Sequence, residues 1–510
     1  KMKHKSAFNG VVILTLALVI VKVLSAIYRV PYQNILGDEG LYAYQQVYPI
    51  VALGMILSMN AIPSAVTQNL GLDHRSQYYS KVLLIIQSVG IGICLVVFAS
   101  AGIISRLMGD GHLAPMIRMA SFSFAFVGVL GVLRGYFQSR QEMNVPAISQ
   151  VIEQFIRVGF IMVAIFLFLT QHWTIYQAGS LSIIASSIGF LGSTLYLVSK
   201  RPFKLKLASK GTKIQWTQLL IAILIFALSQ LIVILWQVAD SFTVIHTLKM
   251  TGLPFEEAIK QKGVYDRGAS FIQMGLIVTT TFSFVLIPLL TEAIQNKQSI
   301  QMYRYANASL KITILISSAA GIGLMNVLPL MNKVFFKTDS ETVTLCVYML
   351  TVIGVSLIMM DIALLQVLNQ IKPIVIGFTL GLLSKAIFNI VFIYQLHILG
   401  ASISTVLSLI IFASILHRAV LKSYHFNQMN KFIIKLVGGL FIMSVIVQLM
   451  MTILPSSGRL IGLISLLISA IVGVGVFMIY VGIFNVLSYR ELKFLPLGDK
   501  LYHFKKGSRS

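Results

Sequence analysis

Lys22 and Arg29 stand seven residues apart, at or near the end of one apolar run. Seven residues are close to two helical turns, so a helix carries both cations on one stripe. Two cations on one stripe of a membrane helix repel each other and require an anion or a hydrated cavity. A plainer alternative stays open for Arg29, because a long arginine near a helix end can snorkel to the outer headgroups. Glu153 and Arg157 are four apart, the spacing of an intrahelical ion pair. Asp240 and Lys385 lie in separate apolar runs at compatible depths and could pair across a helix interface, as a structural lock or as a coupling group. Asp361 is one more carboxylate inside an apolar run, with no role to give it. Asp266 and Arg267 stand where another run begins. Each charge needs a reason, because an ionisable residue at a membrane-helix centre costs about 2.5–3.5 kcal/mol on insertion scales.

The elements that carry these charges follow from composition. Of 510 residues, 57% are hydrophobic and only 11% are charged, with a mean hydropathy of +0.87. Soluble domains carry about 25% charged residues, so this chain has too little polar surface to coat a soluble body. Lys and Arg number 40 against 16 Asp and Glu, a formal charge of +24. The cations cluster between long apolar runs, as in membrane proteins, which excludes a nucleic-acid binder, a soluble enzyme and a disordered chain. A spanning helix needs about 20 apolar residues, and about fourteen such runs are predicted, from near 8–28 to near 460–488. The first exceeds a signal-peptide core and no small-residue cleavage site follows it, so we expect it to be retained.

The predicted architecture is an all-α polytopic membrane protein. Residues 1–199 form an N-terminal six-helix lobe, 200–216 a basic cytoplasmic linker, 217–425 a second six-helix lobe, and 426–510 two extra helices with a basic tail. The lobes share weak internal likeness. Ile62-Pro63 closes the second run and Ile287-Pro288 the eighth; Gln138, Pro146 and Arg157 are echoed by Gln366, Pro373 and Lys385. An even number of spans per repeat gives both lobes one orientation about an axis along the membrane normal, with substrate between them. Lys/Arg asymmetry, led by the Lys200–Lys213 loop and the Arg490–Arg509 tail, puts both termini in the cytoplasm.

No catalytic constellation accompanies the charges. Cys94 and Cys346 each lie inside an apolar run, and the histidines show no metal-ligand spacing. No Walker lysine follows a glycine-rich loop. Gly90, Gly92, Gly128 and Gly131 are expected as close helix contacts or bending points. Neither metal nor cofactor is expected; the pattern is that of transport without covalent chemistry.

Residues 22–67, KVLSAIYRVPYQNILGDEGLYAYQQVYPIVALGMILSMNAIPSAVT, resemble the opening of the MurJ/SpoVB/YtgP-type polysaccharide transporters. These belong to the multidrug/oligosaccharidyl-lipid/polysaccharide (MOP) exporter superfamily. VYDRGASFIQMGLIVTTTFSFVLIPLLTE, residues 264–292, is a second match. The resemblance implies two six-helix lobes around a V-shaped cavity with cationic walls, plus two helices whose groove receives a polyprenyl tail. The family's first-helix arginines fall on Lys22 and, within one position, Arg29; its eighth-helix arginine falls on Arg267. A further arginine on the family's second helix has no counterpart, since no cation lies between Tyr42 and Pro63. Some relatives hold sodium between an acid of span seven and Asn/Asp of span eleven. Here Asp240 matches the acid, while span eleven offers Lys385 and Asn389, an ammonium in sodium's place.

The function these features imply is flipping of an undecaprenyl-diphosphate-linked cell-wall precursor, foremost lipid II, from inner to outer leaflet of a bacterial plasma membrane by alternating access. Lys22, Arg29 and Arg267 would hold the diphosphate. Flippases for teichoic acid, capsule or spore-wall units remain open, as do a cation-coupled multidrug exporter and a non-transporting envelope scaffold. Two cations on span one have the wrong sign for cationic drugs. Membrane lipids and the lipid-linked sugar are the expected partners, with cell-wall synthesis proteins as further ones, nucleic acid excluded, and the chain acting as a monomer.

Overall fold

The computed structural model describes residues 16, 19–70, 76–200, 202–205 and 214–495. Most of the basic 200–213 loop, the start of the first predicted span and the tail beyond 495 lie outside these residues. Among the described residues all regular structure is helical. The helices are α1 (19–27), α2 (Arg29–Ile56), α3 (Ile62–Leu70), α4 (Ser76–Leu107), α5 (Ala114–Ser121), α6 (Val127–Ser139), α7 (Asn144–Gln171), α8 (Ile175–Ser199), α9 (Trp216–Met250) and α10 (Phe255–Asp266). Then follow α11 (Gly268–Ser283), α12 (Ile287–Gln295), α13 (Ser299–Phe336), α14 (Thr342–Val367), α15 (Lys372–Leu396), α16 (Ile398–Ser423), α17 (Met429–Ile453), α18 (Arg459–Ile483) and α19 (Tyr489–Leu492).

Among the described residues, thirteen helical stretches are long and apolar enough to cross a membrane. The sequence predicts about fourteen, and the difference has one origin. Its first two predicted spans are joined by helix rather than by a loop, giving the 52-residue stretch Val19–Leu70. At about 1.5 Å per residue that stretch exceeds twice the roughly 30 Å hydrocarbon thickness. It is broken at Gly37, whose φ of 76° and ψ of −178° leave the helical region. An L side chain is strained at that φ, so glycine is the residue that permits the break.

Packing divides the chain into two compact units, Lys1–Asp266 and Arg267–Ser510. In the first, α2 packs against α5, α7, α8, α9 and α10, and α3 against α6 and α9. The helix of the seventh predicted span, α9, packs with the first unit, whereas the sequence grouped it with the second lobe. In the second unit α13, α14 and α16 pack serially, α15 covers α16, and α17 and α18 pair with each other and with α13.

Exposure is inverted relative to a soluble protein, as lipid requires. Leu95 and Val96 on α4 are 64% and 67% exposed, whereas the largest fully buried side chains include Arg29, Arg134, Arg157 and Arg267. Close backbone approach lets polar groups meet inside. A Cβ on Gly128 would strike the Gln87 backbone, and one on Gly131 would strike Ile62. Gly90 is likewise closed by Phe124; Gly92 faces open space and is no helix contact.

Candidate functional site

The first-helix cations both belong to the first unit. Backbone bonds Tyr28 N–H to Leu24 O and Tyr32 N–H to Tyr28 O carry the helix from α1 into α2, so Lys22 and Arg29 keep one face. Lys22 is half-buried. Arg29 is 2% exposed. Its Nη1 turns back to donate to Ser25 O at 2.6 Å, and its Nε donates to Gln45 Oε1 at 3.2 Å. The guanidinium lies over the Tyr28 and Tyr48 rings, 5.1 and 5.0 Å from their centroids. The snorkelling alternative is thereby overturned: this side chain points inward, along its own helix, onto aromatic faces.

Arg157 of α7 reaches the same tyrosines. Its Nη2 donates to the hydroxyls of Tyr28 (2.9 Å) and Tyr44 (3.0 Å), and its Nη1 donates to Gln154 Oε1 and faces Met55 Sδ. Its guanidinium lies 5.0 Å from the Tyr28 ring centroid and 5.3 Å from that of Tyr48. Ser25 Oγ also donates to Gln154 Oε1, tying α1 to α7. The result is a buried aromatic cluster with two guanidinium groups on the same two rings.

The expected intrahelical pair Glu153–Arg157 is corrected here. Glu153 Oε2 instead accepts from Arg134 Nη2 of α6 at 2.7 Å, with both side chains fully buried. Arg134 spreads its fork over three partners, one from each nitrogen. Nε donates to Ser149 Oγ at 3.0 Å and Nη1 to Ser58 O at 3.2 Å. The Ser58 carbonyl is available for a local reason. Leu57–Ala61 is a π-helical turn in which Ile62 N–H bonds Leu57 O, so Ser58 O would await residue 63, a proline without N–H. Arg134 was legible too: it stands inside the apolar run 116–138, and the rule that marks Glu153 marks it equally.

Elsewhere the cations are held by polar neighbours of their own unit. In the first unit Asp240 Oδ2 accepts from Tyr265 OH at 3.1 Å, and Asp266 Oδ1 from Lys262 Nζ at 2.6 Å. In the second, Arg267 is fully buried, donates to Asn332 Oδ1 at 2.9 Å and lies over the Phe336 ring. Lys385 Nζ donates to Asn389 Oδ1 (3.0 Å), Thr405 Oγ1 (2.7 Å) and Ala401 O (3.3 Å). Asp240 and Lys385 thus belong to different compact units. Asp361, left without a role by the sequence, is buried with Oδ2 3.5 Å from His417 Nδ1. Among the described residues no group of three or more His, Cys, Asp or Glu is arranged to hold a metal. The sequence also passed over Lys311, a charge inside an apolar run whose partner is Glu491 of α19 at 3.2 Å.

Comparison with known proteins puts this arrangement in context. The uncharacterized membrane protein YabM of Bacillus subtilis (strain 168) is 29% identical over 521 residues, covering 99% of this chain and 98% of that protein. The lipid II flippase MurJ of the same organism is 23% identical over 517 residues, covering 92% and 94%. Among solved structures, the inward closed conformation of a lipid II flippase MurJ superposes with a TM-score of 0.70 at 17% identity, over 94% of this chain and 99% of that one. An inward-facing MATE family transporter of the MOP superfamily gives 0.59 at 16% identity, over 80% and 96%. These two likenesses give the fold, which is MurJ/MATE-like. The family model described as "Polysaccharide biosynthesis protein" matches residues 7–294. More than half the chain lies in that match, and the protein is a multi-pass membrane member of the polysaccharide biosynthesis protein family.

Proposed function

We propose that this transporter flips an undecaprenyl-diphosphate-linked cell-wall precursor, with lipid II as first substrate, from the inner to the outer leaflet by alternating access. The observation that carries the reading is Arg29: a membrane-helix arginine 2% exposed, facing inward over two tyrosine rings, in a chain of this family. A relative named for lipid II flipping matches over nearly its whole length and supports the choice of substrate. Lys22, Arg29 and Arg267 are the cations proposed to bind the diphosphate. Ion pairing strengthens where water is excluded. With both termini cytoplasmic, an anionic headgroup leaves an inside-negative cell downhill, by about 2.3 kcal/mol per charge per 100 mV. The headgroup needs a polar route while the tail stays in lipid.

The test is translocation of labelled lipid II in oriented proteoliposomes with an imposed inside-negative potential. Wild type is expected to flip lipid II in a potential-dependent way, and Arg29→Ala and Lys22→Ala to lose that activity. Full activity in a folded Arg29→Ala protein would overturn the assignment. Flipping of a teichoic-acid or capsule carrier in place of lipid II would keep the mechanism and change the substrate. We also propose that Lys385, already bonded to three oxygens, takes the place of a sodium ion. Replacing sodium by choline on both sides should then leave the wild-type rate unchanged; a collapse in rate would refute it.

A further inference from the structure

We infer that Arg157 is an anion-binding residue of the first unit, and that the Tyr28 and Tyr44 hydroxyls are the partners it exchanges for the diphosphate of the lipid carrier. The inference rests on the lipid-diphosphate reading above and adds a residue and an exchange step to it. Arg157 is fully buried, yet its hydrogen-bond partners are three phenols, one amide oxygen and a thioether, all neutral. Its Nε has no partner at all. The carboxylate one turn away, Glu153, is taken by Arg134 at 2.7 Å. A buried cation served only by neutral groups is costly unless an anion reaches it.

Two more observations point to a multiply charged anion. Arg29 holds its guanidinium over the same two rings as Arg157, so the two cations share aromatic faces. One diphosphate would relieve both, and a planar guanidinium matches phosphate oxygens in a two-pronged fashion. Charge-assisted bonds to phosphate are also stronger than those to a neutral hydroxyl, so the exchange runs toward the anion. The displaced phenols are not orphaned: Tyr28 OH already donates to Tyr44 OH at 2.8 Å. Below Tyr42, α2 offers no Lys or Arg of its own, and Arg157 brings a cation to that segment from α7.

The experiment is equilibrium binding of radiolabelled undecaprenyl diphosphate to the full-length protein in nanodiscs, with each variant's folding checked by its thermal transition. Arg157→Gln should weaken binding at least tenfold and Arg157→Lys by a smaller factor. Tyr44→Phe removes a competing partner and should bind as tightly as wild type or several-fold tighter. A merely structural Arg157 predicts the reverse, with Tyr44→Phe weakened through a loosened cluster. Wild-type affinity in a folded Arg157→Gln protein overturns the inference, as does weakening by Tyr44→Phe. If Arg157→Gln does not fold, Arg157→Lys and Tyr44→Phe still decide. Should wild type itself bind no undecaprenyl diphosphate, the lipid-diphosphate function fails first; binding by wild type with no response to these substitutions removes Arg157 alone.

Discussion

Two arginines flank one turn of α7 and live in opposite electrostatic worlds. Arg134 meets Glu153 at 2.7 Å and fills its remaining donors with Ser149 Oγ and Ser58 O. Among the described residues Arg157 has no salt bridge: its hydrogen bonds go to tyrosine hydroxyls, Gln154 and the Met55 sulfur, and its guanidinium lies over the Tyr28 and Tyr48 rings. In the first cluster the charges are paired within the bundle, and Glu153 Oε1 is the carboxylate atom left without a hydrogen-bond partner. The second keeps its positive charge. A closed pair fastens helices, whereas a cation surrounded by neutral groups is held ready for an anion.

The largest effect should come from breaking the closed pair. Arg134→Ala leaves Glu153 as a buried unpaired carboxylate and should cost about 3–5 kcal/mol, read as a large fall in the thermal transition of the purified protein. Replacing both partners, Arg134→Met with Glu153→Leu, should recover most of that loss, since no buried charge then remains. Failure of the double variant to recover would mean that the Ser58 and Ser149 bonds, not the ion pair, dominate. Arg157→Gln should change stability by about 1 kcal/mol or less, because the hydrogen bonds it loses are offset by the charge it no longer buries. Equal losses for Arg134→Ala and Arg157→Gln would erase the contrast. The smallest effect is expected at Arg140, whose contact with Glu142 is 3.7 Å long and half-exposed. Arg140→Ala should shift stability by under about 1 kcal/mol, and less at high salt.

The second unit shows a cation whose three donors are taken by neutral oxygens. Lys385 is ringed by Asn389, Thr405 and a carbonyl oxygen, three acceptors for its three donors. Arg157, by contrast, leaves Nε without a partner. The difference in satisfied donors is what separates a tethered ion from a waiting one.

How much was legible beforehand differs between fold and site. The helices at 216–250 and 459–483 follow directly from apolar runs long enough to span, and the Gly128 contact follows from a small residue in such a run. Glu153 and Arg157 were found as intramembrane charges by the same rule, but their pairing was misread. Sequence spacing reveals neighbours on one helix only, and Glu153's partner is on another. Tyr28, Tyr44 and Tyr48 gave no signal, because aromatic residues in a membrane helix are ordinary until a cation is seen lying on them.

The sequence by itself determined the solvent and the cast: a chain too apolar for water, divided into spanning helices, with a few charges whose burial demands partners. Those properties are local, since hydropathy and the 3.6-residue repeat act over neighbouring residues. Which charge meets which was decided only by the tertiary structure. It depended on α6 crossing α7 beside Glu153, and on a π-turn ahead of Pro63 that freed a carbonyl for Arg134. It depended also on α2 laying its tyrosines under guanidinium groups from two helices. Coulomb energy falls with distance in space rather than along the chain, so partnerships between helices exist only once the helices have packed.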